Sequence, residues 1–207
     1  MSELFQKILD LILPKISDVT ETFFNLWTSP IPTLSERIEE GNKIGPSLLF
    51  FFIMSTLTYS IMLMGLLVGK VELDPYRLGF GFIMSQFLIL IFYSIAAFAA
   101  LKIVHVQSTL RKVLMSTAYL YGQVTVAGAL TCIVIIYAAF YGGRDLLSGI
   151  LLALGAGFFL SCFGWYLMCK VLGATRIKII ISFILVCLFI VPLGSALGVI
   201  VRPLVHF

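Results

Sequence analysis

Polar residues crowd the first 46 positions of this chain, and apolar residues fill nearly everything after them. In the head, Leu4, Phe5, Ile8, Leu9, Leu11 and Ile12 recur at helical spacing, with Glu3, Gln6, Lys7 and Asp10 on the opposite face. That pattern predicts an amphipathic helix lying on a bilayer surface or against a bundle, ended by Pro14. A second short helix is expected from Asp18 to Trp27, with Phe23, Phe24, Leu26 and Trp27 as interfacial anchors. The run Ser29 to Pro32 predicts a turn. Thr33 to Glu36 then reads as a capping box, Thr33 as N-cap and Glu36 at N3, opening a third helix that ends at Gly41.

After Gly45-Pro46 the pattern changes to long runs that are apolar on every face. Five stretches, about 47–69, 78–101, 113–141, 146–169 and 178–201, each reach the roughly 20 residues that cross a ~30 Å hydrocarbon core as a helix. A β-barrel would alternate apolar and polar residues in stretches of about ten, and no such alternation is present. The short connections make neighbouring helices antiparallel. The expected fold is an all-α integral membrane protein. An amphipathic, interfacial head (1–46) at the cytosolic face precedes a bundle of five transmembrane helices (47–207).

Composition agrees with the pattern. The mean hydropathy is +1.10, and only 12% of residues are charged against about 25% in a soluble domain. A water-soluble globular domain is excluded, and so is a nucleic-acid binder, despite the net charge of +4. Four cysteines in so apolar a chain do not make a disulfide framework. The first residues carry Glu3 and Asp10 and show no small-residue cleavage site, so this segment is expected to be retained rather than removed as a secretory signal. Arg37, Lys43, Lys102, Arg111, Lys112, Lys170, Arg176 and Lys178 fall on the side of the N-terminus. Lys70, Arg77, Arg144 and Arg202 fall on the other. This bias predicts a cytoplasmic N-terminus, with Phe207 outside.

Intramembrane ionisable groups mark transport or catalysis, and the five runs hold essentially none at mid-depth. Lys102, Arg144, Lys170, Lys178 and Arg202 sit at span ends, where their aliphatic stems snorkel. An ion-driven pump is therefore disfavoured. Neutral polar groups do occur inside, and Thr56, Gln86, Gln123 and Thr125 are the candidate intramembrane contacts. Their roles are interhelical hydrogen bonding, typically about 0.6–2 kcal/mol, or the lining of a polar path. Small residues recur every four positions at Gly149, Ala153, Gly157 and Ser161, and Gly194 and Gly198 form a GxxxG pair. These are candidate surfaces for close helix packing or for a homo-oligomer, and Pro192 predicts a bend in the last span. Two basic turns, with Lys102, Arg111 and Lys112 in one and Lys170, Arg176 and Lys178 in the other, are candidate contacts for anionic lipid headgroups.

Enzyme motifs fail one by one. Glu39-Glu40 lies outside the spans and lacks the Arg and His that a membrane-embedded glutamate protease needs. His105 and His206 are expected on opposite sides of the membrane, so they cannot share a metal. Cys132, Cys162, Cys169 and Cys187 have no His or carboxylate at ligand spacing. There is no Walker loop and no GxGxxG. No catalytic residue, metal site or cofactor is expected.

Leu26-Trp27-Thr28-Ser29-Pro30 in the head, the Gly45-Pro46-Ser47-Leu48-Leu49-Phe50 opening of the first span and the basic turn within Gly149 to Val186 follow one another in the chain. This order of parts resembles the Yip1 domain family. It covers roughly residues 20–200. The eukaryotic branch, whose members bind Rab-type GTPases, has a longer cytosolic head and a DLYGP motif before the first span. Neither is present, and the one LYG, Leu120 to Gly122, lies inside the third run. The resemblance is thus to bacterial members and implies a bacterial cytoplasmic membrane. Bacterial members mostly lack an assigned activity; the charge layout and the missing catalytic groups point to a Yip1-like, non-enzymatic protein that organises or scaffolds the membrane through lipid contact and self-association. The alternative reading is a small transporter or channel with a polar path through the first three spans.

Overall fold

The computed structural model describes the backbone at residues 2–39, 44–68, 75–142 and 146–205. Side-chain surroundings are described within those ranges except at 2–13, 66–68, 75–77, 136, 139–141, 146 and 191–205. Seven helices are present among them: α1 (Ser2–Thr28), α2 (Pro30–Glu39), α3 (Gly45–Val68), α4 (Pro75–Ile103), α5 (Leu110–Tyr141), α6 (Leu146–Val171) and α7 (Arg176–Val205). They form two compact units, residues 1–42 and 43–207.

The first unit is a helical hairpin. Two expectations about its ends are corrected. Pro14 does not end the first helix, which runs through it to Thr28; a proline inside a helix removes one backbone bond without stopping the chain from continuing. Nor is Thr33 an N-cap. It lies inside α2, with its hydroxyl donating to Ser29 O at 2.8 Å and to Asn25 O at 3.3 Å. The helix starts at Pro30 because proline at the first helical position has its φ pre-set. Neither Pro30 nor Pro32 has an N–H to orphan in that first turn. Val19, Thr22 and Leu26 of α1 and Leu34 and Ile38 of α2 are buried, and Arg37 Nη2 meets Asp18 Oδ1 at 2.6 Å. Leu26 is therefore hairpin core, whereas Phe24 and Trp27 remain exposed as anchors would be. The expected end of the third helix, at Gly41, lies outside the described residues.

The second unit is an all-α bundle. Four of its helices, not five, are long and apolar enough to cross a membrane among the described residues: Gly45–Gly65, Leu78–Ile103, Leu110–Ile135 and Leu147–Val171. The expected fifth span, 178–201, is not among them. The described side chains of α7 end at Ile190.

The bundle is built around α5, which packs against α3, α4 and α6, while α7 lies mainly on α4. Phe51, Leu90 and Ala118 are fully buried at the meeting of α3, α4 and α5, with Phe87 and Tyr121 packed around them. Phe51 stands edge-on to Phe87 at 5.1 Å and stacks on Tyr121 at 5.9 Å. The α3 and α5 backbones come close at Gly122. A Cβ there would lie 3.2 Å from Met54 Cβ and 3.4 Å from Phe50 Cε1. One turn further along, Thr58 Oγ1 donates to Thr125 Oγ1 at 3.4 Å. In lipid, where apolar surface gains nothing by leaving the solvent, such close approach and interhelical hydrogen bonding supply the association energy.

Gly122→Val should therefore lower the melting temperature in detergent by the equivalent of about 1–3 kcal/mol of overpacking. Gly128→Val, at a position with nothing within 4 Å of the added Cβ, should leave it nearly unchanged. A circular-dichroism melt of the two variants checks this.

Candidate functional site

At one end of the bundle the chain makes two basic turns, and the same backbone device builds both. After α4, Val106 N–H bonds Leu101 O at 2.9 Å and His105 N–H bonds Lys102 O at 3.0 Å. After α6, Ala174 N–H bonds Cys169 O at 2.9 Å and Gly173 N–H bonds Lys170 O at 3.0 Å. These are Schellman caps, which need a left-handed residue just past the helix. His105 (φ 56°) and Gly173 (φ 76°) fill that position. In each turn the Lys folds back over the aromatic ring four residues earlier. Lys102 Nζ lies 5.5 Å from the Phe98 ring, and Lys170 Nζ lies 5.9 Å from the Tyr166 ring. Each turn then leads through a Thr, Thr109 or Thr175, into the next helix. Thr109 Oγ1 accepts from Lys112 N–H at 3.3 Å as an N-cap.

The two turns touch. Lys178 Nζ donates to His105 O at 2.9 Å. Lys102, Arg111, Lys112, Lys170, Arg176 and Lys178 thus share one end of the bundle, and neither turn's sequence contains a carboxylate. Two buried polar atoms there have no protein partner, Ser108 Oγ and Arg111 Nε. Ser108 is only 7% exposed. Clustered cations, the free N–H groups of two helix starts and an unpaired hydroxyl are the chemistry of an oxyanion site.

The intramembrane polar residues divide. Thr125 meets Thr58, as above, and Gln123 is buried. Gln86 Oε1 is buried without a protein partner, as is Ser55 Oγ. Thr56 is different: it is exposed on the bundle surface and donates to Phe52 O in its own helix at 2.9 Å. The one cavity described lies elsewhere, between α4, α5 and α6, and has a volume of about 80 Å³. Tyr93, Thr117, Tyr121, Ser161, Trp165 and Met168 are among its walls. Tyr93 and Tyr121 stack at 6.4 Å, and Trp165 stands edge-on to Tyr93 at 6.3 Å. Trp165 Nε1 donates to Ile179 O at 3.2 Å, which ties α6 to α7.

Of the small-residue ridge, Gly149 and Ala153 are buried, Gly157 is half-buried and Ser161 is exposed. A Cβ on Gly157 would meet nothing within 4 Å among the described residues. The side chains of Pro192, Gly194 and Gly198, and His206 entirely, lie outside the described residues. The four cysteines are free thiols, and only Cys169 is fully buried.

Sequence reasoning found the basic residues but missed the partners that organise them: Phe98, His105, Ser108, Tyr166 and Gly173. The signal was present as a recurrence, aromatic-x-x-x-Lys before each turn and Thr-x-x-Lys-x-x-x-Ser after it. It also missed Tyr93 and Trp165, which only tertiary packing brings to one cavity.

No family model matches this chain, and no match is found among curated proteins or among solved structures. The expected membership of the Yip1 domain family is corrected accordingly. The text that suggested it is largely apolar, and apolar spans of any origin resemble one another because lipid selects the same few residue types.

The caps make a test of the local geometry. His105→Gly should stabilise by about 1 kcal/mol, since a left-handed conformation costs a residue with a Cβ about that much. Gly173→Ala should destabilise by a similar amount. Melting temperatures of the two variants, moving in opposite directions, check both.

Proposed function

We propose that this chain is a non-enzymatic multi-span membrane protein that holds anionic lipid at the basic end of its bundle. It organises the surrounding membrane through that contact and through self-association. The observation that carries the reading is the Lys178–His105 hydrogen bond, which joins two basic turns whose sequences hold no carboxylate. Such turns at a membrane surface attract anionic headgroups by about 1 kcal/mol per cation. The excess of Lys and Arg at this end directs it to the cytoplasmic leaflet, as of a bacterial inner membrane, where anionic lipids face such loops. The open part of the α6 ridge at Gly157 supports self-association, since small residues let a second helix approach closely. The absence of ionisable side chains at mid-depth in the sequence supports a non-catalytic role.

The test is lipid retention by the full chain in mild detergent, read by native mass spectrometry. Lys112→Gln/Lys170→Gln/Arg176→Gln removes three exposed cations and should weaken anionic-lipid binding about a hundredfold, leaving zwitterionic lipid unaffected. The difference should shrink in high salt. Equal retention of both lipid classes by the unaltered chain would defeat the reading.

A second reading, a small transporter or channel, is favoured by the α4–α5–α6 cavity, whose walls mix aromatic rings with Ser and Thr hydroxyls. Its path would run beside spans two, three and four rather than one to three. Ser161→Phe at the cavity wall should abolish solute flux in liposomes if this reading holds, and should leave flux at background in both proteins if it does not.

A further inference from the structure

The two basic turns are alike beyond their caps. Counting along each hairpin, Phe98 corresponds to Tyr166, Leu101 to Cys169, Lys102 to Lys170, His105 to Gly173 and Val106 to Ala174. After the turn, Thr109 corresponds to Thr175, Lys112 to Lys178, Val113 to Ile179 and Ser116 to Ser182. Every spacing is kept except for two extra residues, Gln107 and Ser108, in the first turn. The environments match as well. Leu101 and Cys169 are fully buried, Val106 and Ala174 are buried, and Ser116 and Ser182 are fully buried. Both serine hydroxyls donate back into their own helix, to Lys112 O at 2.7 Å and to Ile179 O at 3.0 Å.

The packing follows the same relation. The first helix of each hairpin lies against the second helix of the other: α4 on α7, and α6 on α5. This pairing is one that two copies of a hairpin related by a two-fold axis along the membrane normal can make, as parallel repeats in membrane proteins do. A shared aromatic-Lys pair, a shared Schellman cap and a shared Thr-x-x-Lys start therefore recur as a unit at one end of the bundle.

We propose that α4–α5 and α6–α7 are two copies of one helical hairpin, and that each turn holds one phosphate group of an anionic lipid. The basic end then takes two phosphates per chain. This rests on the lipid-binding reading above and adds its stoichiometry and its ligand chemistry. Each phosphate has a Lys from the end of one helix (Lys102 or Lys170), a basic residue from the first turn of the next (Lys112 or Arg176) and the N–H groups of that helix start, while Lys178 holds the His105 carbonyl and ties the two turns together. In the first turn the unpartnered hydroxyl of Ser108, more than nine-tenths buried, and the unpartnered Nε of Arg111 add two further groups that the protein itself leaves unsatisfied. The two phosphates come either from two single-phosphate lipids or from one lipid that carries both.

The experiment is native mass spectrometry of the full chain titrated with phosphatidylglycerol, with diphosphatidylglycerol and with phosphatidylcholine. Phosphatidylglycerol should saturate at two per chain. Lys102→Gln/Lys112→Gln and Lys170→Gln/Arg176→Gln should each weaken one of the two by about thirtyfold and leave the other, and the quadruple variant should lose both. Lys112→Arg and Lys170→Arg should retain binding, which separates lost charge from lost fold. Diphosphatidylglycerol saturating at one per chain identifies a single lipid spanning both turns; two per chain identifies two independent lipids. Either supports two phosphate sites. A single phosphatidylglycerol that depends on only one turn, or a graded loss with no defined stoichiometry, overturns the duplication of the site while leaving anionic-lipid binding intact. Equal retention of phosphatidylcholine overturns the lipid-binding reading itself.

Discussion

Close packing around α5 is the constraint on which the rest of the membrane unit depends. In water, burying Phe51, Leu90 and Ala118 would be driven by the solvent. In lipid that drive is absent, and helices stay together through dispersion contacts and hydrogen bonds between surfaces that fit. Gly122 allows α3 to approach through Met54 and Phe50, and Ala118 allows Phe51 and Leu90 to meet over it. On the opposite side of α5, Thr117 Oγ1 donates weakly to Met168 Sδ at 3.6 Å, and Gly164 faces Val124 across the α6 contact. Because α5 touches three neighbours, a larger residue on either side displaces more than one helix.

The same packing places the chemistry. With α4 and α6 ending where α5 and α7 begin, both inter-helix turns emerge at one surface. The cations there need no buried counter-ion, because they sit where lipid headgroups and water can solvate them. Lys102 and Lys170 rest over aromatic rings, while Lys178 is anchored on the His105 carbonyl. Each ammonium has donors to spare beyond these contacts, since a lysine carries three and accepts none. This surface is thus ordered by the protein without being neutralised within the turns.

Inside the bundle the polar groups fall into three kinds of surroundings. Thr58 and Thr125 bridge two helices, and Thr56 satisfies itself on its own backbone and faces outward. Gln86 and Ser55 bring buried atoms that no protein group meets. Neutral polar residues thus serve as glue, as outward-facing surface residues or as unsatisfied groups, according to which helix face they occupy.

Much of the architecture was legible in the residues themselves. Runs without charge from Ser47 onward require helices, because lipid leaves no other way to satisfy the backbone, and Lys and Arg cluster where those helices end. Even the boundaries of α3 to α6 lie close to the expected ones. The ends of α1 and α2 were misread because Pro14 and Pro30 each permit two local outcomes, and the hairpin that buries Leu26, Leu34 and Ile38 is not visible in local pattern. The likeness of the two turns was hidden by two inserted residues and by His105 standing where its counterpart has glycine; the shared left-handed backbone is visible only once the chain is folded. The face that each side chain presents was also beyond one-dimensional reading, because a helix that is apolar all round has no moment to orient it. Local pattern therefore determined which segments form long apolar helices, although four rather than the expected five are long and apolar enough to cross a membrane among the described residues. Only interhelical fit decided which residues meet, since between helices in lipid that fit is where the free energy lies.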